Sequence, residues 1–430
     1  MRWLPDIEPL RRHPAYRRLY TGFTLSGIGS QMATVAIGLQ VYAITSSTAA
    51  VGLVGVFALV PLVAMGLYGG ALADHHDRRI VATAAQAVAW ATSIVCAVQA
   101  CLGNERVLVL YLLVASWNGA YAVSSPARSS IYPRILPAAS LPAANALSVF
   151  AMNSTMTVGP LLAGVLIDWR GFTAAYLGDA LITTAALWGL WRLGPIPPEP
   201  DEAGDPGAAE PVQRAGFRSV WDGLRFLATR PNVRMTFVAD IAAMVLAQPR
   251  VLLPAAGAVI LGGGASTVGA LYAAAAIGGV VAMLFSGPLG RCYRQGLAIM
   301  ISVAGWGVGI AGLGLALLSA GGPLTQQQAF WVAALAVGFA GACDAVSAVF
   351  RTTILQTAAP DRMRGRLQGV FIVVVAGGPR LGDLLGGSVA AAVGEGWTAV
   401  LGGLACMGAI GLLAVVQSGF LRYDSRHPVP

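Results

Sequence analysis

The sequence predicts an all-α integral membrane protein with twelve transmembrane helices in two parallel six-helix repeats. Three observations lead there. Of 430 residues, 56% are hydrophobic and 11% charged, with a mean hydropathy of +0.70, whereas an ordinary soluble surface needs about 25% charge. The apolar residues fall into long runs, and a hydrocarbon core about 30 Å thick needs about 20 apolar residues per helix. The two halves also repeat each other. Arg128-Ser129-Ser130-Ile131 with Pro137 aligns with Arg351-Thr352-Thr353-Ile354 with Pro360 at an offset of 223. The same offset carries Gly159-Pro160-Leu161-Leu162-Ala163-Gly164 onto Gly382-Asp383-Leu384-Leu385-Gly386-Gly387. Val51-Gly52 and Gly70 align with Val268-Gly269 and Gly287 at an offset of 217. A same-sense repeat of this kind places the halves about an axis along the membrane normal.

Taken in order, residues 1–16 form a cytoplasmic approach whose basic cluster, Arg11, Arg12, Arg17 and Arg18, suits anionic lipid. The first half, 17–193, holds spans at about 17–44, 50–72, 80–101, 107–127, 143–167 and 172–193. The first span carries Ser26, Ser30, Gln31, Thr34, Gln40 and Tyr42, which need partners on neighbouring helices or in a cavity. Gly70-Ala71-Leu72-Ala73-Asp74-His75-His76-Asp77-Arg78-Arg79 punctuates the second and third spans and reads as a tight aqueous turn. The fourth span sets Asn118, Tyr121 and Ser125 on one face and ends at Arg128. The fifth continues with Asn145, Ser148, Met152 and Thr155, followed by Gly159, Pro160 and Gly164, small residues that let helices approach closely.

Residues 194–230 change character. Pro, Gly and acidic residues up to 216 cannot bury enough apolar surface to order themselves and read as a cytoplasmic linker. Phe217–Arg230 sets Val220, Trp221, Leu224, Phe226 and Leu227 among arginines, the pattern of a helix lying in the interface. The second half, 231–420, holds spans at about 233–261, 266–290, 296–320, 326–350, 367–393 and 397–420, and 421–430 is a cytoplasmic tail. Pro249 and Pro254 break the seventh span, since proline supplies no N–H to the helix.

The net charge of +8 comes from arginine alone, for the chain has no lysine. Twenty-three arginines lie in the loops and ends of one side and two, Arg106 and Arg170, on the other. Positive loops stay cytoplasmic, so both termini are expected in the cytoplasm of a cell's inner (plasma) membrane protein, and nucleic acid is not an expected partner. The amphipathic start lacks the apolar core of a cleavable signal peptide. The five cysteines have no CxxC spacing and the four histidines lie outside the spans, so neither a metal site nor enzyme chemistry is expected.

Charges inside spans carry the functional argument, because an ionised group at mid-bilayer costs about 2.5–3.5 kcal/mol and must pair or line water. The seventh span has Asp240, Gln248 and Arg250, the tenth Asp344, Ser347 and Arg351, and the eleventh Arg380 and Asp383. Local pairing of Asp344 with Arg351 and of Arg380 with Asp383 is one expectation. Proton uptake and release by Asp240, Asp383 or Asp344 is the other. Asp179 and Asp168, near the outer boundary, are weaker candidates.

The decapeptide resembles the signature loop of the major facilitator superfamily. Gly70, Asp74, Arg78 and Arg79 match in position, while His75 and Asp77 stand where that family usually has arginine and glycine. The hexapeptide at Gly159 resembles the end of the fifth-helix motif of its drug and proton antiporters, with Thr155 in place of one glycine. Leu39-Gln40-Val41-Tyr42, Pro126-Ala127-Arg128-Ser129, Leu141-Pro142-Ala143-Ala144-Asn145, Pro249-Arg250, Asp344 to Arg351 and Gly377 to Asp383 resemble the enterobactin-exporter and macrolide-efflux branch. That branch commonly has glutamate where Asp383 stands and no base where Arg380 stands. The resemblance implies a secondary exporter, gated by Gly70, Asp74, Arg78, Arg79, Arg128 and Arg351 and driven by a proton gradient without any cofactor. It implies a cavity for a bulky, partly hydrophobic small molecule, a drug, macrolide or siderophore. Gln31, Gln40, Asn118, Tyr121, Met152, Gln248, Arg250 and Arg380 are its candidate lining, in a monomer whose other partner is the lipid bilayer. Nutrient uptake on the same fold, or a binding or sensing role without transport, are the alternatives.

Overall fold

A computed structural model describes residues 7–196, 225–285, 287, 289, 292–358 and 361–426, and within them the side chains other than those of 67–75, 129, 130, 138, 356, 358, 361–373, 375 and 376. The described chain is helical almost throughout. We label the long helices α1 (Pro14–Thr45), α2 (Thr48–His75), α3 (Arg78–Cys101) and α4 (Val107–Ile135). α5 and α6 are the two arms of Leu141–Trp191, which bends at Arg170 and at Gly171, where φ is 75°. Such a backbone favours glycine, and it lets one continuous helical run turn back across the membrane. α7 (Pro231–Leu246), α8 (Gly264–Leu284), α9 (Gln295–Ser319), α10 (Gln326–Ala358), α11 (Asp361–Val393) and α12 (Glu395–Val416) follow.

Nine of the described helices are long and apolar enough to cross a membrane, and Leu141–Trp191 among them carries two spans. The other two expected spans are α7 and α11. α7 stops at Leu246, and the chain resumes as one turn at Leu253–Ala255 and a π-helical turn at Ala256–Ile260. The break brackets Pro249, with Pro254 at the start of the resumed turn, as the missing N–H groups require.

Several helix ends correct the sequence reading. The expected aqueous turn at 70–79 is mostly helix: α2 runs to His75, and α3 begins at Arg78. Only His76 and Asp77 lie between them, because the Asp77 carboxylate caps α3 by accepting the N–H of Arg79 at 2.8 Å. α4 and α10 run on past 127 and 350, so Arg128 and Arg351, counted in the sequence among the arginines of loops and ends, are helical residues. Of the expected interfacial helix at 217–230, the first part lies outside the described residues, and 225–229 are helical.

Contacts divide the chain into two compact units, Met1–Ile37 with Phe57–Gly216, and Gly38–Val56 with Phe217–Pro430. The first is built around Leu19 and Phe23 of α1, Val81, Ala82 and Ala85 of α3, Val123, Ala127 and Ile131 of α4, and Ala186 and Leu190 of α6. α1 and α5 touch through small residues: a β-carbon on Gly159 would stand 2.7 Å from the Ile28 carbonyl oxygen. Thr155, which occupies a family glycine position, puts its methyl against Gly27 of α1, so the bulk added to α5 is removed from α1. The second unit repeats the first contact in its own helices. Gly382 of α11, at the offset that maps Gly159, meets the Met244 carbonyl oxygen of α7, which a β-carbon would overlap.

The tip of the first hairpin, Gly38–Val56, belongs to the second unit although it precedes α3 in the chain. There Thr48 donates its hydroxyl to Glu395 Oε1 at 2.6 Å. Gly52 lies against the Asp383 carbonyl, and Gly387 of α11 lies against that of Thr48.

Candidate functional site

The first unit holds three of the expected gating arginines. Arg79 donates to the Trp191 carbonyl at 2.8 Å, and the Arg78 N–H donates to the Ile196 carbonyl at 3.1 Å. Asp77 returns the contact: its two carboxylate oxygens accept the Ile196 N–H at 3.2 and 3.1 Å. A side chain that reads as a departure from the family loop therefore ties the α2–α3 turn to the chain leaving α6. The guanidinium of Arg128 lies 4.8 Å from the centre of the Phe23 ring, a cation–π contact between α4 and α1. Gly70 and Asp74 fall in the last turns of α2, and their side chains lie outside the described residues.

The candidate cavity residues of this unit are not equivalent. Asn118 is 5% exposed and donates from Nδ2 to the Val114 carbonyl of its own helix at 2.9 Å. Tyr121 and Met152 are exposed, Tyr121 stacked on Trp117. Of the polar residues along α1, Ser26 accepts from Gln86 of α3 at 3.0 Å, which assigns it to helix packing, and Thr34 donates to the Ser30 carbonyl of its own helix. Gln31 is half-buried beside Gly159. An apolar cavity of ≈ 410 Å³ lies between α2, α3 and α4, lined by Pro61, Met65, Val81, Val88 and Gly119 among others, and it holds no charged group.

The second unit gathers charge at two places. Arg351 of α10 pairs with Asp240 of α7, and its Nη2 also reaches Asp344 Oδ1 at 3.2 Å. Arg351 is 7% and Asp240 2% exposed, while the Asp344 side chain is half open. The local α10 pair expected from sequence thus exists, but the same guanidinium bridges to α7. Sequence spacing shows the i, i+7 partner and gives no sign of one on another helix.

The other place surrounds the break in α7. Arg380 Nη1 lies 3.9 Å from Asp383 Oδ2. Arg250 stands in the break and, with Arg380, is close enough to act on Asp383 electrostatically. Gln248, also in the break, lies against Gly382. A broken helix in lipid leaves carbonyls that need donors. Trp306 Nε1 of α9 donates to Ala247 at 3.0 Å, and the Tyr272 hydroxyl of α8 donates to Arg250 at 3.0 Å. Neither donor stands out in the sequence. Gln40, in the hairpin tip, is 5% exposed. Among the described residues no group of histidine, cysteine and acidic side chains is placed to hold a metal ion.

Long helices paired by small residues, six to a repeat, with charges held inside, define a transporter of the major facilitator class. Solved structures agree on that fold. The nucleoside transporter NupG superposes with a TM-score of 0.67 at 15% identity, covering 95% of this chain and 98% of that one. A bacterial homologue of the iron transporter ferroportin gives 0.67 at 14%, covering 95% and 98%. Residues 6–427 match the profile of the transmembrane secretion effectors, and the chain belongs to that family of the superfamily. It is similar to the enterobactin exporter EntS of Citrobacter koseri, 27% identical over 430 residues, 100% of this chain and 98% of the relative. Its likeness to the EntS of Salmonella typhi is 28%, over 99% of this chain and 97% of that one.

Proposed function

We propose that the protein exports a siderophore, or a small molecule of similar bulk and acidity, across the inner membrane in exchange for protons. The end-to-end likeness to enterobactin exporters supports the substrate class and the direction. The charges at the α7 break supply the chemistry: two guanidinium groups, Arg250 and Arg380, stand in reach of one carboxylate, Asp383, leaving a positive excess. Charge at such depth is costly unless it is functional, and acidic groups of a substrate would answer it. Binding and alternating access make up the whole activity, with no chemical step on the substrate. On this reading both termini are cytoplasmic, the working unit is a monomer, and Asp74, Arg78, Arg79, Arg128 and Arg351 fasten the cytoplasmic side.

The test is transport by purified protein in proteoliposomes under an imposed pH gradient, with pyranine inside to report protons and a panel of catecholate siderophores, macrolides and dyes outside. Compound-dependent proton movement with the siderophores, and its loss in Arg250→Gln, is the expected result. Movement with none of them from folded protein would reject the reading. Movement with macrolides alone would reject the substrate class.

A further inference from the structure

The first unit contains a buried carboxyl group that the arginine network does not reach. Asp179 of α6 is 1% exposed. Its Oδ2 lies 2.6 Å from the Ser93 hydroxyl of α3, and its Oδ1 accepts the Thr183 hydroxyl at 3.0 Å. From α1 the neighbour is Gly29, where even a β-carbon would overlap the carboxyl oxygen. The titratable groups facing it are Cys96 of α3 and Tyr176 of its own helix, both buried and neither of a kind that carries positive charge. Among the described residues, no arginine or histidine makes an ion pair with it, whereas Asp240, Asp344 and Asp383 each have an arginine.

The hydrogens can be counted. Ser93 Oγ also lies 3.1 Å from the Ala89 carbonyl, so three contacts connect Ala89, Ser93, Asp179 and Thr183. An ionised Asp179 accepts only, so the single Ser93 hydrogen would have to be shared between Oδ2 and the Ala89 carbonyl. A neutral Asp179 donates from Oδ2 to Ser93, Ser93 donates to Ala89, and Thr183 donates to Oδ1. Every contact then has its hydrogen. Burial without a cation favours the same form, because a buried charge must be paired.

We propose that Asp179 is a proton-binding site of the first unit, holding its proton through Ser93 and Thr183 and exchanging it during the transport cycle. This rests on the proton-driven reading above and adds a site to it. Release would follow from parting α1 or α3 from α6, which would let water reach the carboxylate left behind.

Infrared difference spectroscopy of the purified protein at neutral pH tests the site without any substrate. The expected result is a protonated-carboxyl C=O band that disappears in Asp179→Asn and, in Ser93→Ala, moves to higher frequency as its hydrogen-bond partner is lost. No band assignable to Asp179, or one unmoved in Ser93→Ala, would overturn the proposal. For the exchange, proton-driven uphill export should fall at least tenfold in Asp179→Asn, and export equal to wild type would overturn that role. A band lost in Asp179→Asn, in a wild-type protein that moves no protons with any compound, would support the site and reject the proton-driven reading.

Discussion

Asp77 is where one substitution separates two jobs of one side chain. It caps α3 through the Arg79 N–H and holds the Ile196 N–H with both carboxylate oxygens. Replacing it by glycine, the usual residue of the family loop, keeps a tolerable cap, since glycine at that position costs only a few tenths of a kcal/mol. The contact to Ile196 is lost outright. A hydrogen bond to a charged group contributes about 1.5–3 kcal/mol, and Ile196 is a buried member of the first unit's core, so water replaces the acceptor poorly. Local opening at Ile196 should therefore rise roughly tenfold to a hundredfold, taking about 1.4 kcal/mol per decade. Amide hydrogen exchange of wild type, Asp77→Gly and Asp77→Asn reads this directly. Protection should fall at Ile196 and Arg78, whose amides share the contact, while mid-α3 amides stay as they were. Unchanged protection at Ile196 in Asp77→Gly would refute the reasoning, as would an equal loss throughout α3, which would make the cap the whole effect.

Three further outcomes are expected. Arg351→Gln should destabilise the protein by about 3–5 kcal/mol, because it strands Asp240 as a buried unpaired charge, and Asp240→Asn added to it should recover much of the loss; a denaturant series in detergent that finds the double variant no better than the single one would remove the pair. Tyr272→Phe takes the donor from the Arg250 carbonyl and should cost about 0.5–1.5 kcal/mol by the same titration, with Trp306→Phe similar; no loss in either variant would remove the two donors from the stability of the break. Asp383→Asn should abolish pH-driven uphill export in proteoliposomes, and a variant still driven by the pH gradient would exclude Asp383 from coupling.

Much of the fold could be read in the chain because its causes are local. Runs of apolar residues, Pro249 in the seventh span and the repeat offset each act through composition or through one residue's missing N–H. The offset maps Gly159 onto Gly382 in sequence, but which helix each glycine meets is seen only in the structure. What escaped the sequence depends on pairs far apart. Asp77 reads as a departure from a loop pattern until Ile196 is beside it, and Asp240 reads as a lone acid until α10 delivers Arg351. Asp179 looks like a boundary residue because Ser93, 86 positions away, is one of many serines. The α2–α3 turn is shorter than the sequence suggests for another reason: charged residues mark the end of an apolar run, not the end of a helix, and α2 continues to His75.

The pairing of Thr48 with Glu395 also orders events during synthesis. The two residues are 347 positions apart, and at about 5–20 residues per second the ribosome needs roughly 20–70 seconds to make the second after the first. For that interval the tip of the first hairpin is finished but has neither α11 nor α12 to rest on, and the Thr48 hydroxyl must be satisfied by water or by its own chain. The second unit is begun by some of the earliest residues to leave the ribosome and closed by some of the last, so truncation near the C-terminus would be felt at residue 48.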